Sequence, residues 1–552
     1  MSSPSGTAPR DDQVRLGEAS GRWVLVATVL AASMAFTDST VVNVALPVLG
    51  EELDADFSGL QWVINGYLLA LASLILLGGS FGDRFGRRRV FAVGLVWFSA
   101  ASALCGLAPS VETLVAGRVL QGVGAALLVP GSLSIIQASF AKQDRARAIG
   151  LWSGLGTLST AAGPFVGGFL IDAVSWRAAF LINPVLAVPA VWAVLRHVPE
   201  SRDPSTEGTR LDLPGAVLGA AALAPITYAL VAFGEEEVDR PALLVGLVLL
   251  GVAAAAAFVV VERRSDHPML PLDIFSSRQF AHANVLTLPV YAALGGIGFL
   301  LVVQLQTSLG YSALEAGVAL LPGTLLLGVL SGRAGALAQR VGPRRLVAAG
   351  PLLVSSGIFW LSFVSDGDTY LSGVLPGALL FGAGLTLMVA PLTSTVMAAP
   401  DQRHVGSASG VNNAVARTAQ LLAVAVLPLV AGISGEDYAD ADAFTDGWAT
   451  AARVAAGLLL AGGAYAWLFL RDDVLDDPDP DPDPDPDPDP DDDEDGDGTR
   501  SDGGGAAADG GRVEAHGPAG DADHDGAIGH SHCAPDVPSS VQARDRVGGG
   551  KT

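Results

Sequence analysis

The chain has 552 residues, of which 50% are hydrophobic and 16% charged, and its mean hydropathy of +0.45 excludes an ordinary soluble enzyme. Acidic residues outnumber basic ones by 56 to 32, but residues 472–552 alone hold 24 acidic and 5 basic residues, so the acidity belongs to a tail. The two cysteines, Cys105 and Cys533, exclude a disulfide framework and a cysteine-based zinc site.

In chain order, fourteen apolar stretches approach the length of about 20 residues that a helix needs to cross a bilayer. They lie near residues 23–47, 60–81, 90–108, 112–138, 146–171, 176–197, 213–233, 241–262, 280–307, 314–338, 345–364, 370–398, 405–433 and 450–470. Because lipid offers the backbone no hydrogen-bond partner, each stretch is expected to be a helix. The sequence therefore predicts an all-α polytopic membrane protein with 14 transmembrane helices, the first retained because it is too long for a signal peptide.

Arginine and lysine concentrate in alternate loops. If the N-terminus is cytoplasmic, only Arg177 and Arg240 fall in the outside loops, and the other loop cations fall inside. Short positively charged loops remain in the cytoplasm. The sequence therefore predicts a multi-pass protein of the plasma membrane with both termini in the cytoplasm.

Two segments lie outside the spans, residues 1–22 and the tail 472–552. The tail contains the run DPDPDPDPDPDP, which repels itself and cannot bury an apolar face, so a disordered cytoplasmic tail is expected. A calcium-loop-like run at 521–526 has His532 where a glutamate is needed. The final GGGKT lacks the helix that must follow a phosphate-binding loop. We therefore expect no metal site, no cofactor and no nucleic-acid partner.

The loop after the second span reads GGSFGDRFGRRRV, with Asp83 at the membrane exit among four arginines. An ordinary positively charged loop would explain the arginines but neither the acid nor the glycine spacing. The stretch resembles the signature loop of the major facilitator superfamily, with Gly79, Asp83, Arg84, Gly86 and Arg87 in place. The resemblance implies that Asp83 is a latch to a helix N-terminus of the opposite half, where the partial positive charge favours a carboxylate.

A faint second copy follows one half later. Residues 335–345, GALAQRVGPRR, resemble a decayed version with Gln339 in place of the acid. In members of this superfamily each half of the chain has six helices, so two of the fourteen predicted spans are additional. The resemblance implies two six-helix bundles, 23–197 and 280–471, with spans 7 and 8 inserted at 198–279. This count is similar to that of the fourteen-span drug:proton antiporter family, whose members are driven by the proton gradient.

The fifth span contains GLGTLSTAAGPFVGG, which starts at residue 154. Its glycines at 156, 163 and 167 share one stripe, where small residues let helices approach closely in lipid, and the proline bends the helix. Generic packing also produces glycine stripes. The Gly-Pro pair, coming after the signature loop, makes this stretch resemble the antiporter motif of the superfamily's exporters, represented by Gly154, Gly163, Pro164, Gly167 and Gly168.

Asp38 lies inside the first span, where a charge costs about 2.5–3.5 kcal/mol on insertion scales. It is therefore expected to face the bundle interior. Arg118 lies inside the fourth span. Loss of water favours the protonated form of a carboxyl, whereas a nearby cation favours the ionised form. The pair is a candidate for proton exchange, with a static ion pair as the alternative. DSTVVNVALP at 38–47 resembles the first-span motif of the fourteen-span family, which implies that Asp38 carries the coupled proton.

The expected substrate cavity contains few charges. Its candidate polar lining consists of Asn43, Gln61, Asn65, Tyr67, Gln121, Gln304, Asn412 and Asn413, any of which can instead join one helix to another.

Together these features predict a non-enzymatic, monomeric exporter of small amphipathic drug-like compounds or antibiotics, which exchanges them for protons by alternating access. The alternatives are a transporter of one specific metabolite and a membrane sensor whose tail binds partners.

Overall fold

The computed structural model describes residues 14–204, 211–235, 240–365, 367–398, 405–435 and 440–472. The predictions for the tail from residue 473 onward, and for the first 13 residues, lie outside the described residues. Within the described ranges the chain is almost entirely helical. One isolated bridge joins Val14 to Phe140, and these ranges contain no β-strand.

Fifteen α-helices are present in the described part of the chain. They are α1 (Ala19–Leu53), α2 (Phe57–Phe85), α3 (Arg87–Gly106), α4 (Val111–Ser139), α5 (Lys142–Ala173), α6 (Trp176–His197), α7 (Leu213–Ala232), α8 (Pro241–Arg264), α9 (Arg278–Val303), α10 (Ala313–Ala319), α11 (Leu321–Val341), α12 (Pro343–Leu361), α13 (Val374–Ala398), α14 (Val405–Ala431) and α15 (Ala441–Phe469).

These helices fill the fourteen predicted positions. Thirteen helical stretches of the described residues are long and apolar enough to cross a membrane, with α10 and α11 together forming the tenth. The eleventh position is α12, which is less apolar because Arg344 and Arg345 occupy its first turn. It packs between its neighbours α13 and α15 all the same. The predicted all-α, polytopic fold is confirmed.

Polar side chains cap the N-termini of several helices. The Asp56 side chain accepts the Gly59 N–H at 2.7 Å at the start of α2, which satisfies one of the unpaired donors of a helix N-terminus. At α10, Ser312 and Glu315 form a capping box. Between these caps the helices are apolar on most sides, as expected where lipid replaces water.

Helices α1–α6 pack together as one bundle and α9–α15 as a second. Glycines bring the helix backbones together: a Cβ on Gly78 would collide with the Ala126 carbonyl of α4, and one on Gly382 would collide with Gly323 of α11. The α7–α8 pair packs on itself, and α7 also touches α2 and α14. This is a two-bundle membrane fold with one extra helix pair.

We call the end of the molecule that carries the α2–α3 turn the basic end, and the opposite end the far end. The turn glycine Gly86 has φ +108° and Gly342, between α11 and α12, has φ +84°. Each is followed by a helix whose N-terminus is held by an acid: Arg88 N–H donates to Glu200 Oε1, and Arg344 N–H donates to Asp472 Oδ1, both at 3.1 Å. This repeated geometry supports the internal duplication.

Three hydrogen bonds between described residues join the two bundles at the far end. Gln61 Nε2 donates to the Val424 carbonyl at 3.0 Å, and Gln306 Nε2 donates to the Val44 carbonyl at 3.0 Å. The third joins the Leu314 N–H to an oxygen of Asp172 at 3.0 Å. A cavity of about 390 Å³ lies between the bundles at the basic end. In the described part of the chain, the bundles are therefore bonded to each other at the far end and border a cavity at the basic end.

Candidate functional site

A buried ion pair joins α1 to α4 in the first bundle. Asp38 is only 3% exposed and Arg118 only 1%. Arg118 Nη1 lies 2.6 Å from Asp38 Oδ2, a short charge-assisted contact. The pairing that the sequence left open is therefore present, and it places two charges in the interior of the apolar bundle.

Two amides complete the surroundings of the Asp38 carboxyl. Gln121 Nε2 and Asn183 Nδ2 both donate to Oδ1, at 2.7 and 3.1 Å. Gln121 also accepts from Arg118 Nη1 at 2.7 Å through its Oε1. Both carboxyl oxygens are therefore hydrogen-bonded, and the donors come from two different helices, α4 and α6.

Arg118 is held on its other sides as well. Its Nε donates to the Val63 carbonyl of α2 at 3.1 Å. Its guanidinium lies over the Tyr67 ring, with the central carbon 4.4 Å from the ring centroid, an arrangement that stabilises a desolvated cation. The arginine therefore keeps several partners when the charge of Asp38 changes.

Asn183 was missed by sequence reasoning. Its Nδ2 also donates to Ser102 Oγ at 2.9 Å, and Ser102 donates to the Phe180 carbonyl. The available signal was one amide residue in the middle of the predicted sixth span. That signal was weak, because a single asparagine does not show which helix it faces.

The cluster combines one carboxyl with one guanidinium and two amides. The arginine stays charged throughout, and the two amides stay neutral.

The glycines of the antiporter motif lie against α1 just beyond Asp38. A Cβ on Gly163 would collide with Thr40 Oγ1, and one on Gly167 would lie 3.2 Å from the Val41 Cα. Gly168 faces the second bundle, where a Cβ would lie 2.6 Å from the Leu314 Cα. Pro164 lies inside α5. The motif therefore brings α5 close to both the acid-bearing helix and the other bundle.

Gly154 differs from the other glycines of the motif. A Cβ at this position would have no atom within 4 Å. By contrast, a Cβ at Gly156 would lie 2.9 Å from the Phe36 ring. Close packing therefore begins two residues after the motif's first glycine.

Two contacts within the signature loop involve its arginines. Arg87 Nη2 lies 2.7 Å from Asp83 Oδ1, and the Arg84 guanidinium lies over the Phe85 ring. Gly79 has room beside it, since the nearest atom to an added Cβ is 3.8 Å away. Asp83 borders the basic-end cavity together with Ser409 of α14. The latch to α14 stays a prediction, and residues 399–404 before that helix lie outside the described part.

The basic-end cavity is bordered by both bundles. Its lining includes Phe36, Leu76, Gly79, Asp83, Gln137, Trp152, Ser409 and Asn413. Phe36 lies two residues before Asp38 on α1. The cavity thus extends from the signature loop to Phe36 on α1.

The structure does not bring the eight candidate substrate residues together. Asn413 borders the cavity. Gln121 and Tyr67 belong to the Asp38 cluster, and Gln61 joins the bundles at the far end.

The remaining candidates lie elsewhere. Gln304 donates to Thr445, and Asn412 donates to Asn284 and Thr287 within the second bundle. Asn65 is fully buried, and its side-chain amide has no hydrogen-bond partner among the described residues. Asn43 lies near Gly298. A substrate role stays a prediction for all eight.

The sequence profile of the Major Facilitator Superfamily matches residues 28–424. The chain belongs to this superfamily. It is 35% identical over 465 residues to the puromycin resistance protein pur8 of Streptomyces alboniger, covering 81% of this chain and 91% of that protein. It is 34% identical to the methylenomycin A resistance protein of Bacillus subtilis, covering 81% and 94%, and 34% identical to the multidrug resistance protein Stp of Mycobacterium tuberculosis, covering 73% and 74%.

Solved structures agree on the fold. A D-xylose-proton symporter matches with a TM-score of 0.58 at 15% identity, covering 82% of this chain and 99% of that chain. The human organic anion transporter MFSD10 matches with a TM-score of 0.55 at 17% identity, covering 81% and 100%. The protein is therefore a major facilitator transporter and not an enzyme.

Proposed function

We propose that this protein exports small amphipathic compounds, including antibiotics, in exchange for protons. The observation that carries the proposal is the Asp38 cluster, a titratable carboxyl held between a permanent cation and two neutral amides inside the bundle. The names of the relatives, resistance and multidrug resistance proteins, support the substrate class. The antiporter glycines on α5, which pack next to Asp38, support exchange over uptake.

In this proposal the basic end faces the cytoplasm of the cell, and both termini are cytoplasmic. The support is the distribution of arginine, which follows the rule that positively charged short loops stay inside. The cavity at the basic end then opens to the cytoplasm, where an exporter collects its substrate. The protein acts as a monomer in the plasma membrane, with lipid, protons and substrate as its partners.

The cycle alternates between two arrangements of the bundles, which we assign to residues 23–197 and 280–471, with spans 7 and 8 at 198–279 outside the central cavity. Asp38 takes up a proton when the far end is open and releases it to the cytoplasm. Asp83 latches onto α14 when the basic end is closed. Asn413, which borders the basic-end cavity, contacts the substrate.

The proposal is tested by efflux of a compound panel from cells with and without the protein, at several external pH values. We expect faster efflux at lower external pH for several amphipathic compounds, and loss of this effect with Asp38→Asn. The matched control is Glu51→Gln, which removes an exposed carboxylate from the same helix. Transport of a single compound would favour the metabolite transporter, and unchanged efflux with Asp38→Asn would contradict proton coupling through this residue.

A further inference from the structure

Two carboxyl groups meet at the basic end of the inserted helices, far from the Asp38 cluster. Asp212 caps α7, and its Oδ1 accepts the Gly215 N–H at 2.8 Å. Glu262 lies in the last turn of α8 and is 2% exposed. The transport site described above uses neither residue.

The second oxygen of each carboxyl is buried and has no hydrogen-bond partner among the described residues. These oxygens are Asp212 Oδ2 and Glu262 Oε1. Both lie within 2.7 Å of the point where a Cβ on Gly215 would be. Because glycine has no side chain, both oxygens can approach this point from the two helices. Buried polar atoms are rarely left unpaired, so this pair requires an explanation.

No described cation neutralises the pair. Arg263 and Arg264 follow Glu262, and Asp266 and His267 come next on the linker, but no ion pair joins any of them to either carboxyl. Two ionised carboxylates that share a site shielded from water repel each other strongly, and such pairs hold on to one proton.

The number of unpaired oxygens indicates whether a metal ion or a proton binds between the two carboxyl groups. A calcium ion needs six to eight oxygen ligands, and the described residues offer two unpaired oxygens here. A proton needs two acceptors. We propose that Asp212 and Glu262 bind one proton between them, which makes a second proton-binding site in this transporter.

The proton has a consequence for the neighbouring linker. Glu262 Oε2 accepts the Leu270 N–H at 3.1 Å, so its position fixes the chain between α8 and α9. Met269, the preceding residue, borders the basic-end cavity. Loss of the shared proton leaves two negative charges face to face, which displaces Glu262 and the linker with it. The pH at the basic end thereby controls whether Met269 stays at the mouth of the cavity.

The test measures the reaction of Met269→Cys with a polar maleimide on purified protein, from about pH 5 to about pH 9. The native Cys105 is fully buried, and Cys533 is replaced by serine. The reference is the same protein with Glu262→Gln, whose amide donates to Asp212 and accepts from Leu270 at every pH. Because the thiol chemistry is the same in both, the ratio of the two labelling rates isolates the carboxyl pair.

We expect this ratio to be near one at low pH and to rise about tenfold at high pH. Asp212→Asn, which preserves the cap, should abolish the rise as Glu262→Gln does. Asp266→Asn and His267→Gln, on the same linker, should leave it unchanged.

Three results would overturn the proposal. They are a ratio that stays at one at all pH values, a rise that survives Asp212→Asn, and a rise that His267→Gln removes. A ratio that changes when a chelator removes divalent cations would show a metal ion in place of the proton and would also overturn it. The measurement needs no substrate, so a failure of the proposed export activity leaves this result interpretable.

Discussion

Replacing Asp38 with asparagine separates a proton carrier from a static ion pair. The change preserves the shape of the side chain and removes its charge and its titration. A carrier must pass through a neutral state in every cycle, so its surroundings have to accept a neutral residue. A static pair has no such requirement, and the two hypotheses therefore predict different stabilities for the same variant.

The structure sets the expected magnitude. If the Gln121 amide turns over, the introduced asparagine can donate to its oxygen and still accept from Arg118. Arg118 keeps the Val63 carbonyl and the Tyr67 ring. The bond from Asn183 and the bond from Arg118 to Gln121 Oε1 are lost, but Asn183 still donates to Ser102, so the Gln121 nitrogen is the group left unsatisfied. We therefore expect the free energy of unfolding to fall by about 1–3 kcal/mol, the effect of one unsatisfied buried group. A static pair would lose about 3–5 kcal/mol, because the cation would be left without its partner.

The assay combines folding with transport. Folded yield and thermal stability are measured for Asp38→Asn, Arg118→Gln and the double variant, and their coupling gives the pair energy. Transport is then measured in membrane vesicles, as uphill export driven by a pH gradient and as substrate exchange without a gradient. We expect Asp38→Asn to fold, to lose uphill export and to retain exchange, because exchange requires only the conformational change.

Two results would refute this reasoning. A folded Asp38→Asn protein that still exports against a gradient would remove Asp38 from the coupling mechanism. A collapse of Asp38→Asn that the added Arg118→Gln repairs would show that the pair is structural. Asp38→Glu, with its longer side chain, should retain part of the coupled export.

Four further predictions follow from the same geometry. Gly163→Ala places a methyl group against Thr40, so we expect a loss of about 1–3 kcal/mol in stability and reduced efflux. Gly154→Ala is the control and should change neither stability nor efflux. Equal effects of the two substitutions would show that the motif does not act through packing. Asp83→Asn should lower the turnover rate more than substrate affinity, and an equal loss of both would indicate misfolding. Asn183→Leu should reduce but not abolish pH-driven efflux, since it removes one of three donors; complete inactivity would give this residue a larger role. Deletion of 476–552 should leave efflux intact, and a loss of efflux at normal surface expression would make the tail regulatory.

The sequence by itself determined which segments form the membrane-spanning helices. Apolar stretches of spanning length are recognisable one at a time, since each must satisfy its own backbone in lipid. Asp38 was recognisable in the same way, because a carboxyl inside an apolar span is energetically costly and therefore indicates a functional residue. The glycine at each repeated turn was also recognisable: Gly86 and Gly342 have the positive φ angles that few other residues adopt.

Only the tertiary structure decided which side chains meet. Asn183 reaches Asp38 from a helix 145 residues further along the chain, and Glu262 faces Asp212 across Gly215. Helices that are apolar on most sides show no polar stripe to indicate which face is turned inward, so the rotation of each helix cannot be inferred from its own sequence. The rotation depends on how neighbouring helices pack, chiefly through close glycine contacts. The residues that could carry charge were therefore recognisable in the sequence, whereas their partners depended on the packing of the bundle.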